Sequence, residues 1–150
     1  MRPIVLITED SDDDYFLLHR AFKKVGPAAE LAHCVDGLTT VQYLERAKID
    51  PSRFPALLLL DLKMPGMTGF EVLAWCRKDP ACRVLPVNIL SSSDEASDIE
   101  RAFELGANAY TVKPMGAGNY EKLVAGVFKF WLEVCELPRA IKAGSVAQPD

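Results

Sequence analysis

The chain has no long hydrophobic run. Nothing approaches the roughly 18 consecutive apolar residues of a membrane span, and the start, MRPIVLI, carries neither the charged region, the longer apolar stretch nor the cleavage site of a secretory signal. A soluble, unprocessed cytoplasmic protein is expected, with no membrane partner. The four cysteines, Cys34, Cys76, Cys82 and Cys135, fall at no CxxC spacing, and only His19 and His33 could join them as ligands. Neither a zinc site nor a disulfide framework is indicated, so reduced thiols are expected. Lys and Arg form no cluster, and the net charge of -4 argues against a nucleic-acid surface. No repeat and no shift of composition marks a second domain. The 150 residues, 49% of them hydrophobic, suit one domain around one core.

What is present is organised around residues 57–66, LLLLDLKMPG. Four leucines are too few for an ordinary helix and are apolar on both faces, which fits a central strand of a parallel sheet covered on both sides. That strand ends on Asp61, and Pro65 and Gly66 then turn the chain. The rest of the sequence repeats the alternation. Strands are predicted at 3–8, 31–35, 84–90 and 108–112. A helix opening with Ser11 or Asp12 as N-cap stops at Gly26-Pro27, and others are predicted at 38–46 and 68–78. A fourth helix follows the cap residue Asp94 and carries Ile99, Ala102, Phe103 and Leu105, and the last spans 119–136. Residues 47–55 read as a loop, 1–137 as the domain and 138–150 as a disordered tail. Five strands alternating with five helices predict an α/β fold, a parallel sheet with helices on both faces.

In such a sheet the carboxyl ends of all strands share one edge, where ligands bind in open α/β folds. That edge collects Glu9 and Asp10 from the first strand, Asp61 from the third, Ser91 from the fourth and Lys113, followed by Pro114, from the fifth. Three acids packed together repel one another unless a cation neutralises them. Hard oxygen ligands describe a Mg²⁺ site. With a lysine and a hydroxyl able to contact phosphoryl oxygens, the set suits phosphoryl transfer to a carboxylate. Asp12, Asp13 and Asp14 read instead as solvated acids favouring a helix N-terminus. Ser92 and Ser93 read as helix caps with Asp94, Cys82 and Cys135 as packing residues, and Asn88 as a polar residue in a strand with no evident partner.

The segments VLITEDSDDD, LLLLDLKMPGMTG, PVNILSS and GANAYTVKP, in this order, resemble the receiver domains of two-component response regulators over residues 2–136. The resemblance implies a flavodoxin-like three-layer sandwich with strand order 2-1-3-4-5. It makes Asp61 the phosphoacceptor for a phosphoryl group from a partner histidine kinase. Glu9, Asp10, Asp61 and the backbone carbonyl of Lys63 become the Mg²⁺ ligands, the Lys63 side chain facing solvent. Ser91 and Lys113 contact the phosphoryl group, and Tyr110 becomes the aromatic switch that moves with Ser91. Lys113-Pro114 resembles a cis peptide of the family. The protein would then catalyse only its own phosphorylation and dephosphorylation, and signal through changed contacts with a downstream protein. Ser91 stands where Thr is commoner and Met115 where an aromatic is frequent, but neither change removes a required functional group.

Two other classes fit less well. A phosphatase with an Asp nucleophile needs a second acid two residues on, where this chain has Lys63. A flavodoxin-like cofactor binder needs a loop rich in Ser, Thr and Gly after the first strand, where this chain has EDSDDD. The sequence ends soon after the fifth helix, which reads as a stand-alone receiver. Phe128, Phe130, Trp131, Leu132 and Leu137 carry more apolar area than one helix on a small sheet is expected to bury, which marks an interface. The ending FWLEVCELP resembles the small response regulators paired with bacterial phytochrome kinases, some of which dimerise through that region. A homodimer through the C-terminal region is therefore expected, the alternative being a helix that covers the domain's own core.

Overall fold

In the computed structural model, which describes residues 2–116 and 118–138, the leucine run is the middle of the sheet. Strands β1 (Ile4–Thr8), β2 (Glu30–Cys34), β3 (Leu57–Leu60), β4 (Val87–Ser91) and β5 (Ala109–Val112) pair in parallel in the order β2-β1-β3-β4-β5. Helices α1 (Asp12–Val25), α2 (Gly37–Ile49), α3 (Gly69–Lys78), α4 (Ala96–Glu104) and α5 (Gly118–Lys129) follow the strands in turn. Alternate residues of β1 and β3 point to opposite faces, as the period of two requires. Val5, Ile7, Leu57 and Leu59 pack with Leu18, Phe22, Tyr120, Val124 and Phe128 of α1 and α5. Leu6, Leu58 and Leu60 pack with Leu44, Leu73 and Ala102 of α2, α3 and α4. Burial on both faces is why these strands read as unbroken apolar runs. No helix among the described residues is long and apolar enough to cross a membrane.

The boundaries depart from the sequence reading where local chemistry intervenes. β4 starts at Val87 rather than at residue 84, because Pro86 has no N–H to give a ladder; its carbonyl accepts from Leu58 instead. The stretch expected as a loop at 47–55 holds the end of α2 and a 3₁₀ turn, Pro51–Arg53. α4 begins at Ala96 with Glu95 as N-cap and no side-chain cap bond, so Asp94 does not cap it. The final helix is not uniform. α5 ends at Lys129 and a π-helical turn, Phe130–Val134, continues it, closed by the Cys135 N–H donating to the Phe130 carbonyl at 2.7 Å. No cis peptide bond occurs among the described residues, so Lys113–Pro114 is trans, the form most X-Pro bonds prefer.

The expected apolar excess near the C-terminus is largely absorbed by the chain itself. Phe128 and Trp131 are buried and Leu132 and Leu137 pack against the core; only Phe130 and Val134 stay open, at 49% and 71% exposure. The tail expected to be disordered lies, beyond Pro138, outside the described residues. All four cysteines are free thiols, with Cys34, Cys76 and Cys82 buried.

Candidate functional site

Backbone ladders place the acids. Asp61 follows β3 and donates its N–H to the Thr8 carbonyl at 3.1 Å, and Glu9 follows β1 and donates its N–H to the Cys34 carbonyl at 3.0 Å. The Glu9 carbonyl accepts from His33 Nε2 at 2.8 Å, and the His33 ring lies on Tyr15 of α1, stacked with centroids 3.6 Å apart. Beneath Glu9, Thr8 and Thr40 share a hydrogen bond of 2.6 Å in the core. The turn after Asp61 depends on two glycines. Gly66 has φ +75, the left-handed region where glycine is not strained. Gly69 packs so closely that a Cβ would lie 2.1 Å from the Asp61 carbonyl oxygen, so α3 can start under Asp61 only with glycine there.

Four of the five residues expected from the sequence, Glu9, Asp10, Asp61 and Lys113, meet at this edge through their side chains, and Ser91 reaches it through its carbonyl, which accepts from the Lys113 N–H at 2.7 Å. One oxygen from each of Glu9, Asp10 and Asp61 lies within 4.8 Å of the others, with Glu9 and Asp61 buried and Asp10 exposed. Three hard oxygens on one open edge fit a divalent cation. Lys113 sits among the acids with its side chain only 10% exposed. Its Nζ is 2.8 Å from Glu9 Oε1, 3.2 Å from Asp61 Oδ2 and 2.8 Å from Asp14 Oδ2. Ser91 is fully buried, and its Oγ accepts from the Ser93 N–H at 3.1 Å. Tyr110, on β5, donates its hydroxyl to the Ser93 carbonyl at 2.8 Å and so touches the loop after β4. The Lys63 N–H points to Asp61 Oδ1 at 3.4 Å.

Burial sets the electrostatics. It disfavours the Glu9 carboxylate and, with the Asp61 charge adding to it, outweighs the Lys113 hydrogen bond, so the Glu9 pKa is raised from 4.5 to about 7. Burial also opposes the Lys113 ammonium, but hydrogen bonds to Asp14 and Glu9 and the attraction of Asp61 and Glu9 prevail. Its pKa is held above the ordinary lysine value. The ammonium is thus the standing counter-charge of the cluster.

Three contacts were not evident from the sequence. Asp14, expected in solvent, binds Lys113. The Lys63 side chain, also expected free, pairs with Asp98 Oδ2 of α4 at 3.2 Å, and Ser93 Oγ donates to the same oxygen at 2.6 Å. This latch spans the mouth of the site from the β3–α3 loop to α4. Asn88, without a partner in the sequence reading, accepts from Trp131 Nε1 at 3.0 Å and donates to Thr111 Oγ1 at 3.1 Å. A usable signal existed for two of them. Helices that follow parallel strands begin at the same edge, so Asp14 and Asp98, each in a first helical turn, were within range of it.

Comparison with known proteins agrees with this geometry. A family model, Response regulator receiver domain, matches residues 5–125. Response regulator Rcp1 of Synechocystis sp. (strain ATCC 27184 / PCC 6803 / Kazusa) is 34% identical over 138 residues, 91% of this chain and 94% of that protein. The solved Mn(2+)-bound form of Rcp1 superposes with a TM-score of 0.81 at 34% identity, covering 91% of this chain and 99% of that one. The phosphorylated cyanobacterial phytochrome response regulator RcpA does so with a TM-score of 0.84 at 31% identity, covering 92% and 99%.

Proposed function

The chain belongs to the response regulator receiver domain family, and from that premise we propose that Asp61 accepts a phosphoryl group from a phosphohistidine of a partner kinase. The observation that carries this is the buried Asp61 carboxylate, 3.2 Å from the Lys113 ammonium and beside the Glu9 and Asp10 acids, on the open edge of the sheet. An Asp61 oxygen attacks phosphorus, the P–N bond breaks with its electron pair going to the ring nitrogen, and the imidazole, already protonated on its other nitrogen, leaves as the neutral ring. Glu9, Asp10, Asp61 and the Lys63 carbonyl would hold Mg²⁺, and the ion would supply charge neutralisation for the transferring group. Ser91 and Lys113 take phosphoryl oxygens.

The phosphoryl oxygens, carrying about −2 where the Asp61 carboxylate carried −1, then draw Ser91 inward, and Tyr110 follows through its bond to the Ser93 carbonyl. The likeness to phytochrome response regulators supports a bacteriophytochrome-type kinase as donor and a downstream protein as receiver of the signal, in the cytoplasm. Phe130 and Val134, left exposed on the turn after α5, support a homodimer through this C-terminal region. Sedimentation at micromolar concentration tests it: a monomer there removes the dimer. Incubation with a small phosphodonor and Mg²⁺, read by intact mass, tests the main reading. One phosphoryl adduct is expected on wild type and none on Asp61→Asn; an adduct that survives in Asp61→Asn overturns it.

A further inference from the structure

An ammonium has three N–H donors, and Lys113 spends all three on carboxylates carried by three separate segments: Glu9 after β1, Asp61 after β3 and Asp14 in the first turn of α1. Two of these acceptors, Glu9 and Asp61, belong to the oxygen cluster that fits a dication. Asp14 does not. A carboxylate oxygen shared with a dication holds an ammonium less strongly, because the two cations compete for it and repel each other.

Asp14 is also built to hold still. Its own N–H donates to the Ser11 Oγ at 3.3 Å, and the next residue, Tyr15, is stacked on His33, which in turn binds the Glu9 carbonyl. Its side chain is 35% exposed, whereas Asp12 and Asp13 in the same turn are open to solvent.

We propose that Asp14 is a positioning residue, the carboxylate that keeps the Lys113 ammonium beside Asp61 while Glu9 and Asp61 serve the metal. Lysine is a point charge on a flexible stem, and without this anchor it retains its charge but loses its place. The inference rests on the phosphoacceptor reading of Asp61. It predicts a particular split: losing Asp14 slows the transfer step, yet removing one negative charge from the site does not weaken the approach of an anionic donor.

The test uses the full chain with Asp14→Ala and Asp14→Asn, acetyl phosphate as donor, Mg²⁺ titrated separately, and adducts followed by intact mass. The saturating rate is expected to fall roughly tenfold in Asp14→Ala, with no rise in the half-saturating donor concentration and with the Mg²⁺ Kd within about twofold of wild type. In a Lys113→Met background, Asp14→Ala is expected to add nothing. A wild-type rate in Asp14→Ala, the same fold-loss with and without Lys113, or a loss of Mg²⁺ affinity that accounts for the slower rate would each overturn the proposal.

An independent readout needs no donor. The Lys113 ammonium proton–nitrogen signal in Mg²⁺-loaded protein is expected to be observable in wild type and broadened in Asp14→Ala; equal signals overturn the anchoring role. If wild type takes up no phosphoryl group, the reading of Asp61 fails, while this signal still decides whether Asp14 holds the lysine.

Discussion

Two lysines flank the candidate site and are held in opposite ways. Lys113, 10% exposed, is enclosed by Glu9, Asp14 and Asp61. Lys63, 60% exposed, reaches across the mouth to a single carboxylate, Asp98. On the first side the Lys113, Glu9 and Asp61 charges are taken out of water and must be matched in place, so removing the lysine strands two buried acids. On the second, water screens the pair and can replace either partner. The interior half of the site is therefore a fixed frame, and the half facing α4 is a latch that opens at little cost.

The largest expected effect comes from breaking the frame at its cation. Lys113→Ala leaves two buried carboxylates facing each other, and urea denaturation without metal is expected to show a loss of about 3 kcal/mol. Saturating Mg²⁺ should return part of it by RT ln(1 + [L]/Kd), since the ion substitutes for the lost charge. If the variant matches wild type in metal-free urea, the frame is not held by charge pairing.

Gly69→Ala tests the frame through packing. The added methyl would stand 2.1 Å from the Asp61 carbonyl and 2.7 Å from Leu62 Cα, both backbone atoms, so the chain must shift. A loss of about 1–3 kcal/mol is expected, together with slower phosphoryl uptake because Asp61 itself moves. Stability and uptake equal to wild type would show that the turn yields without disturbing the acid.

pH acts on the interior half through Glu9. In metal-free protein Glu9 binds its proton more tightly when folded, near pH 7, than at its ordinary 4.5. The folded state therefore holds more protons between these values. The stability that goes with them is complete below about pH 4.5 and is lost as pH rises through about 7, amounting to about 2–3 kcal/mol. Urea midpoints from pH 5 to 7.5 should fall in wild type and vary less in Glu9→Gln. Because a metal ligand must be deprotonated, Mg²⁺ affinity should rise over the same window.

The smallest effect on stability belongs to the latch. Lys63→Ala is expected to leave the urea midpoint unchanged within error while altering the lifetime of the phosphorylated state, measured by loss of the adduct after donor removal. A clear loss of stability would make the mouth part of the frame.

Asp61, Glu9, Asp10, Ser91 and Lys113 were legible in the sequence because each closes a strand, and parallel strands share their carboxyl edge whatever the details of packing. Asp14 and Asp98 were not, since a helical acid in a first turn has a sufficient local reason to be there, as a partner of the helix N-terminus. Which of Asp12, Asp13 and Asp14 turns towards Lys113 depends on the angle at which α1 leaves the sheet. Asn88 was opaque for a different reason. Its partners, Thr111 and Trp131, come from β5 and from the π-helical turn, and no local pattern joins positions so far apart. That turn was itself hidden, because residues 119–136 carry one unbroken apolar pattern and nothing in it marks where hydrogen bonding widens.

The hydrogen bond from Trp131 to Asn88 gives the protein an optical property. Of the two tryptophans, Trp75 lies under the Lys48 ammonium, 5.3 Å from its ring, whereas Trp131 is buried with its indole N–H fixed to the strand that ends in Ser91. In a Trp75→Phe protein all indole emission would come from the second ring, and any displacement of β4 that lengthened this bond would change its wavelength. The C-terminal turn thus carries a native fluorophore bonded to the strand that ends in Ser91, and its emission reports on that bond without an attached dye.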